Sequence, residues 1–543
     1  MFERLPPLHT DIVIVTGLYF ETAPALPAVD PNRTDVACFI GYVARRARAP
    51  LPAHMREELR RAGWLDGPWA RSATALEALE QLPVTVESWD AFDNLFAWEQ
   101  RAVADGGAAQ CATYLGAAVR SFFATGGVRA VIVRVGDPWP YVEPDLQHAQ
   151  NRLERIRRLV PDYAGPGFPA LPFDATDPSH WLGIHHVYGL PDVSLICLPD
   201  LPDVFAQTPA AVPAAFNPPP LPETFVECSD DEAPDHADFA LRLLAAPRCG
   251  DGYESWGMAV GLIRDFLARH RRDALFFGAL PLPHVDARRP GRDGPVHAEA
   301  DLLGFLRYAG VFEPEGGAVS AAATSAFVQL GYPWLRTRRS ADLPQSLEPP
   351  DGMLAGLAAA NAIRRGTFRS MAGSLLPDVI EPVPMPAWGV GSGSPGEQLA
   401  ERLCLIAPEP GGIALQSDVT TAFDGAWRPG GVSRLLSAVL RAGHRYGDAH
   451  LFEANGPALW ANVRRSMVAL LTGFWEQGGL GGATPSAAFE VRCDRSTMTQ
   501  NDIDAGRLIV EISVLPAAAV ERITIVLNLA SGAPAQAAIR EVA

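Results

Sequence analysis

Between residues 36 and 345 the chain repeats one pattern: a short apolar run, then a helical stripe. The runs are Val36 to Val43, Val84 to Ser88, Arg129 to Val135, Ser194 to Leu198, Ala274 to Leu280 and Ala326 to Leu330. Several lack polar alternation, which predicts strands covered on both faces. Helices fall between them. Tyr114 to Phe123 sets Tyr114, Leu115, Val119, Phe122 and Phe123 on one stripe, and Trp256 to His270 does so with Met258, Leu262, Ile263 and Phe266. Strands alternating with helices predict a mostly parallel, doubly wound sheet. The stretch 137–222, rich in proline and aromatics, is expected to decorate the outer surface of this α/β domain.

The end of the chain obeys a different rule. Pro457 suits a first helical turn, and Leu459, Trp460, Val463, Met467, Leu470, Leu471, Phe474 and Trp475 then recur at helical spacing until Gly478. Strand candidates come next, at Ala487 to Cys493, at Arg507 to Leu515 (Leu508, Val510, Ile512 and Val514 on one face) and at Glu521 to Leu529 (Ile523, Ile525, Leu527 and Leu529 on one face). Thr499 to Asp502 carries a capping-box pattern able to open one helical turn. The expected division is an extended arm at 1–35, the α/β domain at 36–345, an α+β domain at 346–520, and a last strand and tail at 521–543. Ala530 to Ala543, Ala-rich and weakly patterned, is expected to be a mobile tail. In the first arm, Asp11 to Thr16 is β-branched throughout its centre, and Pro24, Pro27 and Pro31 keep the rest of the arm out of helix. Such a lone strand is either an edge of its own domain or a strand given to a neighbour's sheet.

The formal net charge is −17, which argues against a non-specific nucleic-acid binder, since that role needs a basic face. Cys38, Cys111, Cys197, Cys228, Cys249, Cys404 and Cys493 form no CxxC pair and are expected to be reduced and buried, in a chain made in the cytoplasm. An N-terminal signal and an 18-residue apolar run are both absent, so no membrane insertion is expected. Motifs for chemistry are missing. Gly389 to Gly396 does not form a GxSxG elbow, no glycine run ends in Gly-Lys-Ser/Thr, and no HExxH occurs. His185-His186 is a dipeptide whose rings would point to opposite faces of a strand. Asp494, Asp502 and Asp504 lack the alternate spacing of an EF-hand loop and are expected to act as caps. Asp137, Asp200 and His284 stand near strand ends but apart in sequence. The residues thus point to no enzyme and no cofactor or metal. Arg464 and Arg465 lie off the apolar stripe of their helix, either solvated or forming ion pairs between subunits.

An ordered series of residues carries a resemblance. Phe452 to Asn455, Leu459-Trp460, Val463 to Ser466, Phe474-Trp475, Gly482 to Pro485, Cys493 to Gln500 and Gly506 to Ile509 resemble the C-terminal domain of contractile tail sheath proteins of bacteriophages and phage-tail-like injection systems. Ala37 to Tyr42, Tyr114 to Val135 and Gly331 to Leu335 are similar to that family's α/β domain. The resemblance implies a structural subunit that forms a helical homo-polymer around an inner tube protein, with baseplate components and other sheath paralogues as further partners. It also implies contraction that drives the tube through a target envelope, and cytoplasmic assembly followed by a place in a phage tail or an extracellular particle. Terminal arms would link neighbours by strand exchange, with Ile12, Val13, Ile14 and Val15 in one arm and Ile523, Ile525 and Leu527 in the other. Two other readings stand beside it: a non-polymerising minor adaptor at the baseplate or distal end, and an enzyme on the α/β domain.

Overall fold

The computed structural model describes residues 33–517, except 144, 166–168, 208–240, 242–243, 251, 285–286, 288–298, 313–322, 387–393, 450–452 and 505, together with the backbone of 523–528 and 536–541. One sheet dominates. Its strands are β1 (Val36–Tyr42), β2 (Pro83–Val86), β3 (Arg129–Gly136), β4 (Leu195–Cys197), β5 (Leu275–Ala279), β6 (Val328–Tyr332), β7 (Cys404–Glu409) and β8 (Gly412–Leu415). Their order across the sheet is β8-β7-β6-β5-β4-β1-β3-β2. All neighbours are parallel except β2 on β3 and β8 on β7 at the two edges. Every residue of β1, β4, β5 and β6 is buried, as the unbroken apolar runs require.

Helices α1 (Tyr114–Thr125) and α4 (Asp351–Arg364) pack on each other and on β1; between them in sequence lie α2 (Asp145–Leu159) and α3 (Gly252–His270). The α1–α4 crossing is unusually close because α4 presents glycines to it. A Cβ at Gly352 would stand 2.3 Å from the Ala118 carbonyl oxygen, and one at Gly356 would stand 2.7 Å from that of Phe122. Backbone-to-backbone packing of this kind leaves no side chain to adjust, so the two helices are fixed in register.

The structure corrects two expectations about organisation. The described part of 137–222 is not all peripheral: it supplies β4, next to β1 at the centre of the sheet. Trp139, Tyr141, Tyr163, Trp181 and Phe205 of this stretch are buried in the core, and half-buried Phe173 packs edge-on against Phe266 of α3 with ring centroids 5.2 Å apart. Nor does the sheet stop at residue 345, because β7 and β8 come from the segment assigned to the second domain. A second hydrophobic core does form, but only from about Leu435 onward. It is built by α5 (Gly430–Ala449), α6 (Pro457–Glu476) and an antiparallel hairpin of β9 (Phe489–Arg492) and β10 (Glu511–Val514). The described cysteines are free and buried. No helix among the described residues is long and apolar enough to cross a membrane.

Candidate assembly interface

Helix α6 begins where the sequence places it. Gly456 precedes it in extended conformation, Pro457 opens it, and the Trp460 indole N–H donates to Asn455 Oδ1 at 2.8 Å. Leu459, Trp460, Val463, Met467, Leu471 and Phe474 are buried on its inner face. Gly478 ends it at φ +77°, a conformation that glycine adopts without steric cost. The loop after β9 is held by short-range polar contacts. Asp494 accepts from the N–H and hydroxyl of Ser496 at 2.7 and 2.6 Å. Asp502 accepts from the N–H and hydroxyl of Thr499 at 2.9 and 2.6 Å and pairs with Arg507 at 2.7 Å. The Thr499 contacts and then Arg507 hold the Asp502 carboxyl down at about 2. These aspartates cap turns, in line with their spacing.

Three arginines of α5 fasten this module to the amino-terminal ends of the sheet. Arg434 lies against Asp418, with Nη2 at 2.6 Å and Nη1 at 2.9 Å from its oxygens, and also donates to Gln329 and to the Thr367 carbonyl. Arg441 donates to Asp273 and to the carbonyls of Arg33, Asp192, Val193 and Asp273. Arg445 pairs with Asp192. Burial pushes Arg441 down to about 10, with Asp273 opposing the fall. For Asp418 burial works upward, but the charge and hydrogen bonds of Arg434 outweigh it and hold the carboxyl below the usual range. Sequence reasoning missed these contacts. The available signal was that Arg434, Arg441 and Arg445 recur on one stripe of a helix whose neighbours Leu435, Ala438, Val439 and Ala442 are buried.

The module leaves main chain and apolar surface open. Among the described residues β9 and β10 form a two-stranded sheet, so the outer edge of Glu511–Val514 has no strand beside it. Next to that edge runs a cavity of about 1220 Å³, lined by Leu436 and Leu440 of α5, Val463 and Met467 of α6, and Val510 and Ile512 of the hairpin. The face predicted for Leu508, Val510, Ile512 and Val514 therefore points into a groove, and the ladder covers only Glu511–Val514 of the run from Arg507 to Leu515.

The other expected positions have varied locations. Ile12, Val13, Ile14 and Val15 lie outside the described residues. Ile523, Ile525 and Leu527 lie on β11 (Ile523–Asn528), which pairs antiparallel with β12 (Gln536–Glu541). Gln536–Glu541, expected as part of a tail, is thus a strand; its register opposite 523–528 supplies the order that its Ala-rich composition did not advertise. Arg464 and Arg465 are exposed on α6, and no ion pair to either occurs among the described residues. His185 and His186 sit in a 3₁₀ turn, Gly183–Gly189, not on a strand, and both are buried. Burial pushes His186 down to about 3.

At the carboxyl ends of the strands, an α/β sheet offers a ligand crevice where strand order reverses. Here that reversal lies between β1 and β4, and the chain fills it with its own side chains. Arg101 stands 2.8 Å from Asp203, donates to the Trp139 carbonyl at 2.9 Å, and lies 4.9 and 5.1 Å from the ring centres of Trp139 and Tyr141. Asp200 is buried beside it, whereas Asp137 is exposed and pairs with Arg134. The His284 N–H donates to the Cys249 carbonyl at 2.7 Å. Among the described residues no group of three or more His, Cys, Asp or Glu is placed to hold a metal.

No family model matches this chain, and no curated protein matches it. Solved structures do. A chain of the anti-feeding prophage baseplate in the contracted state is similar at 16% identity and a TM-score of 0.55, over 95% of this chain and 99% of that one. A chain of the six-fold symmetrised anti-feeding prophage baseplate is similar at 18% identity and a TM-score of 0.50, over 96% and 100%. A chain of the contracted PVC sheath complex of an extracellular contractile injection system shows 18% identity and a TM-score of 0.47, over 96% and 98%. The first two likenesses place this fold, over nearly its whole length, with that of contractile-particle components.

Proposed function

We propose that this chain is a structural subunit of a contractile injection particle, a sheath protein that joins copies of itself around an inner tube. The observation that carries the reading is a fold shared end to end with chains of such particles. The open edge of Glu511–Val514 and the apolar groove beside it support the mode of joining. An incoming strand there gains main-chain hydrogen bonds along the edge and buries alternate side chains in the groove. The donor is the Ile523–Asn528 segment or the Asp11–Thr16 segment of a neighbouring copy. Strand pairing of this sort keeps subunits linked while whole domains rotate, which is what contraction of a sheath demands. Arg464 and Arg465 supply charge for contacts between acidic subunits, and the inner tube and baseplate are the further partners.

A second reading has its own support. The two likenesses above with a TM-score of 0.50 or more are to baseplate chains, which favours a ring subunit at the baseplate end that does not extend into a long polymer.

Replacing Ile523→Pro together with Ile525→Pro tests the joining mode, because proline cannot donate to a ladder. Sedimentation is expected to show loss of high-mass assemblies while circular dichroism and the melting transition stay as in the parent. Unfolding of the whole chain would place the strand in its own subunit's core and count against exchange.

A further inference from the structure

Three carboxyl side chains are buried at the carboxyl end of the sheet, and none has an ion-pair partner among the described residues. Asp200, after β4, is 2% exposed and accepts from the Tyr42 N–H at 2.6 Å. Its Oδ2 lies 2.2 Å from where a Cβ at Gly41 would stand, so the group is pressed against the last residues of β1. Asp351, the first residue of α4, is 0% exposed. Its Oδ1 accepts from the Gly352 N–H at 2.9 Å, and its Oδ2 has no hydrogen-bond partner among the described residues. Glu348 is 1% exposed. Its Oε2 accepts from the Ser121 hydroxyl of α1 at 3.0 Å, and its Oε1 has no hydrogen-bond partner among the described residues. A buried carboxylate with an unpaired oxygen is costly; a carboxylic acid in the same place is far less so.

We propose that Asp200, Glu348 and Asp351 are held as neutral acids in the folded subunit. In that form they tie α1 and α4 to the carboxyl end of the sheet, so that the subunit is firmer in mildly acidic surroundings than in alkaline ones. The groups facing them agree. Asp200 is faced by Asp203 and Arg101, with Arg101 already committed to Asp203, and by the Leu115 N–H. Asp351 is faced by Asp200 and Glu348, whose charges would repel its own. Glu348 is faced by Arg120, Thr337 and Arg339; Arg120 donates to the Arg339 carbonyl and lies 3.8 Å from Asp342, while Arg339 pairs with Asp378. Burial pushes each of the three up to about 7. The unfolded chain releases these protons near pH 4. Between about pH 4 and 7 the folded state therefore binds more protons than the unfolded state, and stability falls as pH rises through that window and then levels. His186, Asp273 and Asp418 titrate in the opposite sense, with folded values below their ordinary ones. They are common to parent and variant, so a comparison cancels them. The inference stands whether or not the subunit polymerises.

The test is denaturant unfolding of the full chain from pH 5 to 8.5, for the parent and for D200N/E348Q/D351N. The ratio of their unfolding constants is expected to change by up to about tenfold per group per pH unit below pH 7, and to be flat above 8. Parallel curves would overturn the proposal. Infrared spectra of the parent give a readout that needs no stable triple variant. A protonated-carboxyl band is expected at pH 6, lost at pH 8.5 and reduced in D351N alone. A parent band at pH 6 no larger than that of D351N, D200N and E348Q would overturn it as well.

Discussion

Arg441→Ala lowers the stability of the folded chain by about 3–5 kcal/mol, the range for removing one member of a buried charged network. Arg441 is 1% exposed and reaches Arg33, Asp192, Val193 and Asp273 together. These groups precede β1, β4 and β5, so a single guanidinium joins the starts of neighbouring strands to α5. Its loss takes a donor from the carbonyls of Arg33, Asp192 and Asp273, each costing up to about 1–3 kcal/mol where it is left buried and unpaired, while the Val193 carbonyl keeps Arg271 at 2.7 Å. Asp273 is spared the worst, since Arg271 still holds it at 2.9 Å. The cost thus comes mainly from the carbonyls, and Arg441→Met, which keeps the stem, is expected to recover only the packing part. Chemical denaturation measures both variants, and a loss below about 1 kcal/mol for Arg441→Ala would contradict the role given to this residue.

Asp418→Ala is expected to cost a similar amount, about 3–5 kcal/mol, for a different reason. Asp418 accepts from both Nη groups of Arg434, from Gln329 at 2.9 Å and from the Met371 N–H at 2.9 Å. Removing it strands a guanidinium that is 2% exposed. Asp418→Asn keeps the shape and part of the hydrogen bonding but not the charge, so it should fall between the parent and Asp418→Ala. The pH dependence is also set. A carboxyl held below its ordinary range stabilises above that range, and the contribution is lost as pH falls through its lowered value. Unfolding free energies of the three proteins at pH 7 and at steps from about pH 4 down to about pH 2 check both points: the parent's advantage over Asp418→Ala should hold to about pH 4 and shrink below it.

Much of the sheet was legible in the sequence because its strands are covered on both faces. Unbroken runs such as Val36 to Val43 and Ala274 to Leu280 have one interpretation once helical stripes separate them. Helix α6 was legible for a related reason, since Pro457, an apolar stripe and Gly478 mark its start, face and end. What was not legible depends on partners far away in sequence. Cys404–Glu409 ends in the exposed pair Pro408 and Glu409 and only makes sense beside Val328–Tyr332, which it pairs in parallel. Leu195–Cys197 was anticipated as a strand within the run Ser194 to Leu198, but its place at the centre of the sheet was not, because its setting is a proline-rich stretch and its partners lie far away in sequence. The arginines of α5 look like an ordinary solvated face until Asp273 and Asp418 are brought beneath them. The edge of β10 was anticipated as a strand but not as an open one, because being unpaired is a property of the sheet, not of the residues.

The proposal that this chain builds a contractile-particle sheath meets its most direct test in electron microscopy of the full chain, alone and co-expressed with the tube and baseplate proteins of a contractile particle. The account predicts striated tubes or wide hollow cylinders with the tube protein inside. Particles that stay monomeric under every condition, with no ring and no cylinder, would contradict it.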